Sequence, residues 1–428
     1  MRIDHLTVQN FRCFESRTFD LAPQFNVIIG ENGSGKTTVL EALAVAAKSW
    51  LLGLKSGETG RIHPADVRLV GYKIGEEFTF EERFPVIVSA EGEIDKKRLR
   101  WKRSLLHLKG RTTIGEANHI MDISSATFGQ VRAGELVTLP VIAYYGTSRL
   151  WHQPSPSEIR RIESNRSLSR FEGYRNSMDE RINARELTQW MERQDRIAYQ
   201  ERHEPTLYQA VRLAMRQVIE DANEVRYDNR RLEIVVEFKD GSVQPFGHLS
   251  DGQRNMVALA GDLAMRMARL NPQFGLDVLD QTPGFVLIDE LDLHLHPNWQ
   301  RRVVDNLRCV FPKCQFVATT HSPFIIQTLR EGELLMLEGQ PIPRVANLGI
   351  EEIARGLMDV DRPEVSPRYQ EMKTVAKNYL ETLEEASKTP EEKLAEYKER
   401  LADQIAPYAD NPAFQAFLEL KRTAKLGE

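Results

Sequence analysis

The segment Gly30-Glu31-Asn32-Gly33-Ser34-Gly35-Lys36-Thr37-Thr38 carries the residue types that a polyphosphate demands. Gly30, Gly33 and Gly35 lack a β-carbon, so the backbone can bring several N–H groups against a polyanion. The helix opening near Lys36 adds the positive end of its dipole. Lys36 has the reach for the β- and γ-phosphates of ATP, and the Thr37 hydroxyl suits Mg²⁺. Asn32, Ser34 and Thr38 complete the cradle. Far along the chain, the apolar run Phe285-Val286-Leu287-Ile288 ends in Asp289 and Glu290. Asp289 fits a Mg²⁺ role, directly or through water, and Glu290 fits the general base that orients an attacking water. The competing readings are a chance glycine-rich turn and a plain surface turn after a strand. The order and context of the two segments argue against both.

Two smaller segments extend the set. Leu249-Ser250-Asp251-Gly252-Gln253 could form an anion-binding turn at a helix start through Ser250, Gly252 and Gln253. A helix cap explains Ser250 by itself, but not the whole string. His321 follows Thr319-Thr320. A lone histidine there would be structural, whereas beside the other motifs it is a candidate γ-phosphate sensor.

Positioning these groups takes strands and helices in a particular order. Ile3 to Val8 alternates as a half-buried strand does. Phe25 to Ile29 is a denser apolar run, suited to a buried parallel strand, and feeds the phosphate loop. Thr37 to Trp50 has helical spacing. Leu139 to Tyr145, Phe285 to Ile288 and Phe316 to Ala318 are further buried strands. Phe78 to Ile87 and Leu99 to Leu108 suggest a peripheral antiparallel sheet. Leu232 to Phe238 is strand-like, and Met256 to Leu270 forms the helix behind the Ser250 turn. From about Ser157 to Ala222 the spacing is helical and arginine-rich, with acidic residues interleaved. A solvated face laced with ion pairs is the simpler account of that segment, and a nucleic-acid-facing surface is the alternative. After about Ile350 the chain is again helical and charged.

The bulk properties limit the function classes. The chain has 428 residues, and 41% apolar content suffices for a packed core. A formal net charge of −5 argues against a generally basic nucleic-acid binder. Cys13, Cys309 and Cys314 show no metal-ligand grouping, which suggests a reduced, cytosolic chain. The first residues lack a signal-peptide core, and no stretch approaches the ~18 uninterrupted apolar residues of a membrane helix. A soluble, cytoplasmic protein is expected.

At these motifs the chain resembles the SMC/RecF/OLD branch of ABC-type ATPases. The opening Leu6-Thr7-Val8-Gln9-Asn10-Phe11-Arg12-Cys13-Phe14 is similar to that branch, as are Asp289 to Pro297 and Thr320-His321-Ser322-Pro323. The resemblance covers most of residues 1–340 and implies two nucleotides sandwiched between two copies, Gly30 to Thr38 of one facing Ser250 to Gln253 of the other. It also implies that Arg12 approaches the nucleotide, that Asp292 acts across the interface, and that Gln153 is the glutamine contacting Mg²⁺. His294 and His296 become a structural turn. Roughly 210 residues separate Lys36 from Ser250, too few for the long arms of SMC proteins. Size and motif style look more like PtuA-type ATPases of Septu systems, also found with some retrons, on which a separate HNH nuclease docks. Glu338-Gly339 and Asp359-Val360-Asp361 mimic fragments of a TOPRIM nuclease, but repeated βα units are missing around them, so a nuclease in the same chain is not expected.

The resulting expectation is an α/β fold: an ABC-type ATPase head with a mixed sheet lobe, an antiparallel β subdomain, a short helical insertion and a helical C-terminal extension. Its divisions are residues 1–150, 151–230, 231–345 and 346–428. The last would dock a partner or further copies. ATP and Mg²⁺ are the expected cofactors. The partners are a second copy, an HNH nuclease and DNA or retron msDNA, with no membrane. One functional reading is a regulatory ATPase gating a nuclease in antiviral defence. The alternatives are a RecF-like DNA-binding ATPase in repair or recombination, and an OLD-type ATPase-nuclease.

Overall fold

The computed structural model describes residues 1–54, 60–149, 169–338, 348–358, 360, 366–386, 399–403, 406–408 and 411–426. Gln153, Asp359, Asp361 and the arginines Arg160, Arg161 and Arg166 lie outside these residues. The chain forms two compact units, Met1–Ile353 and Ala354–Glu428.

The strands in chain order are β1 (Arg2–Phe11), β2 (Phe14–Asp20), β3 (Phe25–Ile29), β4 (Arg68–Ile74), β5 (Glu77–Arg83), β6 (Val86–Ile94) and β7 (Lys97–Leu105). They continue as β8 (Val141–Tyr145), β9 (Ala222–Asp228), β10 (Glu233–Phe238), β11 (Val243–Pro245), β12 (Gly284–Ile288), β13 (Cys314–Thr319) and β14 (Leu334–Met336). The central sheet is parallel, in the order β14-β3-β13-β12-β8. Strands β3, β8, β12 and β13 are buried along their whole length, as near-continuous apolar runs in parallel sheets are. An antiparallel sheet, β2-β1-β6-β7, carries the amino terminus. Gln315 fastens it to the central sheet: its side chain accepts from Ile3 N at 2.8 Å and donates to Ile3 O at 2.7 Å.

The phosphate loop leads into α1 (Lys36–Ala47), which continues as 3-10 turns to Leu54. Lys36–Leu54 is long and apolar enough to cross a membrane, but most of it is buried in this unit. That is the signature of a core helix. Trp101 on β7 donates to Ala46 O at 3.0 Å and pins the helix against the antiparallel sheet. The remaining helices of the first unit used below are α2 (Asn118–Arg132), α3 (Ala184–Glu201), α4 (Thr206–Gln217), α5 (Asp251–Leu270) and α6 (Pro297–Val310).

Some sequence expectations shift. The run Phe78 to Ile87 is not one strand: β5 ends at Arg83 and β6 begins at Val86, in different sheets. Pro85 between them has no N–H for a ladder. The hairpin β4-β5 stands by itself, with Leu69, Ile74, Phe78 and Phe80 exposed. Strand β9 pairs with β10 across position 230, where a division was expected. Helix α5 begins at Asp251 rather than Met256, because the Ser250 cap starts it there. In the second unit, α7 (Pro367–Ala386) and α8 (Pro412–Leu426) contribute to a small core of Tyr379, Leu383, Leu401 and Leu418.

Candidate functional site

Parallel register gathers the chemistry at one edge of the central sheet. Ile288 lies beside Ala318 and Tyr145, and Thr319 beside Ile28. The segments leaving the carboxyl ends of β3, β12 and β13 therefore emerge together, which is where open α/β sheets bind ligands. Those segments are the phosphate loop, Asp289-Glu290 and Thr320-His321.

The loop's shape depends on two glycines. Gly33 and Gly35 have φ of 86° and 101°, in the left-handed region that favours glycine. A Cβ on Gly35 would also stand 2.6 Å from Cys13 Sγ and 2.8 Å from the Phe14 ring. The turn between β1 and β2 thus supports the loop from outside. Lys36 Nζ donates to Gly30 O at 2.8 Å and Glu31 O at 2.9 Å, bracing the loop from within. Burial lowers the Lys36 pKa, opposed by Asp289 and Glu290.

Thr37 is the link to the second segment. Its hydroxyl donates to Asp289 Oδ2 at 2.9 Å, across 252 positions of sequence. The other carboxylate oxygen of Asp289 accepts from Thr319 Oγ1 at 2.5 Å, and that hydroxyl accepts from Glu290 N at 2.7 Å. Glu290 has φ of 48°, a left-handed conformation that costs a non-glycine residue about 1–2 kcal/mol. Its neighbours hold it there. One is Arg149, whose guanidinium donates to Asp289 O at 2.7 Å and Glu290 O at 2.9 Å.

Arg149, which the sequence reading did not single out, is built into the site's framework. It is 1% exposed, and burial lowers its pKa to about 10. It also donates to Gly146 O at 3.0 Å and to Asn255 Oδ1 at 2.7 Å on α5. The available signal was a single arginine four residues past an all-apolar strand. Nothing in its spacing names its partners.

The Ser250 turn is built differently. Ser250 and Gln253 form a capping box: Gln253 N donates to Ser250 Oγ at 3.3 Å, and Ser250 N to Gln253 Oε1 at 3.0 Å. Gly252 is required by close approach, since a Cβ would stand 2.6 Å from His294 O. Asn255 Nδ2 donates to Leu293 O at 3.0 Å. The turn therefore rests on the segment following Glu290. Among the described residues, no hydrogen bond joins Ser250, Gly252 or Gln253 to the phosphate loop.

The remaining candidates are placed as follows. His321 is exposed, with its N–H donating to Asp292 Oδ1 at 3.3 Å, and Thr320 Oγ1 donates to the same oxygen at 2.5 Å. Asp292 thus orders the His321 segment of its own chain. Arg12 is ion-paired with Glu41 and with Asp66, the latter at 2.9 Å. It sits in the turn that abuts Gly35, and its guanidinium is occupied by those carboxylates. His296 caps α6, accepting from Asn298 N at 3.3 Å, while His294 is exposed in the turn before it.

Residues 25–327 match the AAA_21 family, described as "AAA domain, putative AbiEii toxin, Type IV TA system". The chain belongs to this family. As an AAA_21 ATPase domain it is similar to the "Retron Vc95 probable ATPase" of Vibrio cholerae serotype O1 biovar El Tor, with 23% identity covering 79% of this chain and 73% of the relative. A shorter match, 44% identical, joins it to the "Septu protein PtuA" of Bacillus mycoides strain KBAB4 over 21% of this chain and 12% of that one. A solved Smc head bound to the C-winged helix domain of ScpA is 15% identical with a TM-score of 0.45, over 78% of this chain and 94% of that one. The likeness to ATPases of retron and Septu systems, read from the motifs, is found in the first two of these relatives.

The site's residues fit a Mg²⁺-nucleotide. Ser34 Oγ is buried in the phosphate loop without a hydrogen-bond partner. Thr37 and Asp289 present hard oxygen donors side by side. Such a cation would neutralise phosphate charge between them. Among the described residues there is no separate cluster of histidine, cysteine and carboxylates able to hold a metal.

Proposed function

We propose that this chain binds and hydrolyses ATP, and that two copies close around two nucleotides to control a separate nuclease in antiviral defence. The observation that carries the ATPase reading is the Thr37–Asp289 contact, which puts the phosphate loop beside the Asp289-Glu290 turn. On this reading Lys36 and the loop N–H groups hold the phosphates, and Thr37 and Asp289 hold Mg²⁺. Glu290 takes the proton of the attacking water, and His321 and Gln153 meet the γ-phosphate and the metal. Ser250, which is exposed, and Gln253, which is half-buried beside it, complete with Gly252 the site of a second copy. Kinship with retron and Septu ATPases supports the defence role. An HNH nuclease is the expected partner, with the helical unit Ala354–Glu428 as its docking element, and DNA or msDNA a further expected partner.

The test is Glu290→Gln. It should retain ATP binding, lower hydrolysis by about 10²–10³-fold and accumulate an ATP-bound dimer, measured by phosphate release and light scattering. Hydrolysis at the wild-type rate would remove Glu290 from the role of base.

A further inference from the structure

Arg149 lies between two parts of the molecule that the proposed reaction uses at different nucleotides. Its Nε donates to Asn255 on α5, the helix opened by the Ser250 turn. Its other nitrogens donate to the carbonyls of Asp289 and Glu290. Asn255 is itself buried and shared, because its Nδ2 holds Leu293 O just beyond Glu290. Side chains with so few alternative partners move together. A displacement of the first turn of α5 must either break the Arg149–Asn255 bond or pass through it to the Glu290 backbone.

We propose that Arg149 is a positioning residue that couples nucleotide contact at the Ser250 turn to the placement of Glu290 in the same chain. This rests on the two-copy reading given above. The Ser250 turn of one copy then touches the nucleotide held by the other, whereas Glu290 acts on the nucleotide of its own copy. Arg149 converts occupancy of the partner's site into correct geometry at its own. The φ of 48° at Glu290 gives this coupling its leverage, since a left-handed glutamate stays in place only while its neighbours hold it. Reciprocal coupling of this kind makes ATP turnover cooperative.

The experiment measures the ATP dependence of phosphate release by the full chain, with its oligomeric state. The wild type should show a Hill coefficient clearly above 1. Arg149→Lys, which keeps the charge but cannot span the four acceptors, should lower kcat by about tenfold, hold the half-saturating ATP concentration within about twofold, and bring the Hill coefficient to about 1. Asn255→Ala cuts the link to α5 while leaving Arg149 on Asp289 and Glu290, so it should also abolish cooperativity. Asn255→Asp keeps an acceptor for Arg149 and should restore it. A non-cooperative wild type would overturn the proposal, and so would variants that lose activity yet keep the wild-type Hill coefficient, or an Asn255→Asp no better than Asn255→Ala. A wild type without any ATP turnover would instead overturn the ATPase reading.

Discussion

The phosphate loop and the Ser250 turn are both short polar segments opening a buried helix, and they are satisfied in opposite ways. The loop relies on distant residues: Thr37 bonds Asp289, and Gly35 fits against Cys13 and Phe14. The Ser250 turn satisfies itself, Ser250 and Gln253 bonding one another within one helical turn and staying at the surface. Its buried underside, through Gly252 and Asn255, rests on the segment after Glu290. One segment is tied to a distant turn of its own chain. The other is a turn whose Ser250 and Gln253 side chains, among the described residues, hydrogen-bond only within the turn itself, which fits the proposed contribution to a second copy.

That contrast can be broken by substitution. The largest effect is expected from Lys36→Ala. It removes the ammonium and two bonds inside the loop, and should weaken ATP binding by about 100-fold with the fold intact, as measured by calorimetry and circular dichroism. Retained affinity would mean that the loop is not the phosphate site.

A smaller effect is expected from Ser250→Arg. The cap it loses is worth about 1 kcal/mol, so the chain should fold. ATP binding to the monomer should stay within about twofold, while ATP-dependent dimerisation and turnover fall by at least about tenfold. If instead the monomer's own ATP affinity dropped as far as in Lys36→Ala, the two segments would belong to one site and the contrast would fail.

The smallest effect concerns the support beneath the loop. Burial pushes the Glu41 carboxyl on α1 up to about 7, against the opposing pull of Arg12. The folded state therefore holds this proton more tightly than the unfolded chain, whose ordinary value is 4.5. The associated stability is fully present below about 4.5 and is lost as pH rises through about 7. Glu41→Gln should remove this part of the pH dependence, on the order of 1–3 kcal/mol, seen as a flatter urea midpoint between pH 5 and 8. Parallel pH profiles for variant and wild type would show that Glu41 does not titrate in that window.

What the sequence determined by itself was local. The phosphate loop, the capping spacing of Ser250 and Gln253, and the apolar strands ending at Ile29 and Ile288 each depend on residues within about ten positions. Their physics of φ freedom, capping and apolar burial is legible at that range. The hairpin β4-β5 shows the limit, because the run Phe78 to Ile87 has strand composition throughout while one proline decides where pairing ends. Only the tertiary structure decided the strand order β14-β3-β13-β12-β8, which realises the meeting of Thr37 with Asp289 that the motifs had assigned to one Mg²⁺. It alone placed Arg149 on Asn255, Asp289 and Glu290. The reason is physical. Such contacts are set by the register of buried parallel strands and by which acceptors burial leaves without water, and neither is encoded in the spacing of the residues that make them.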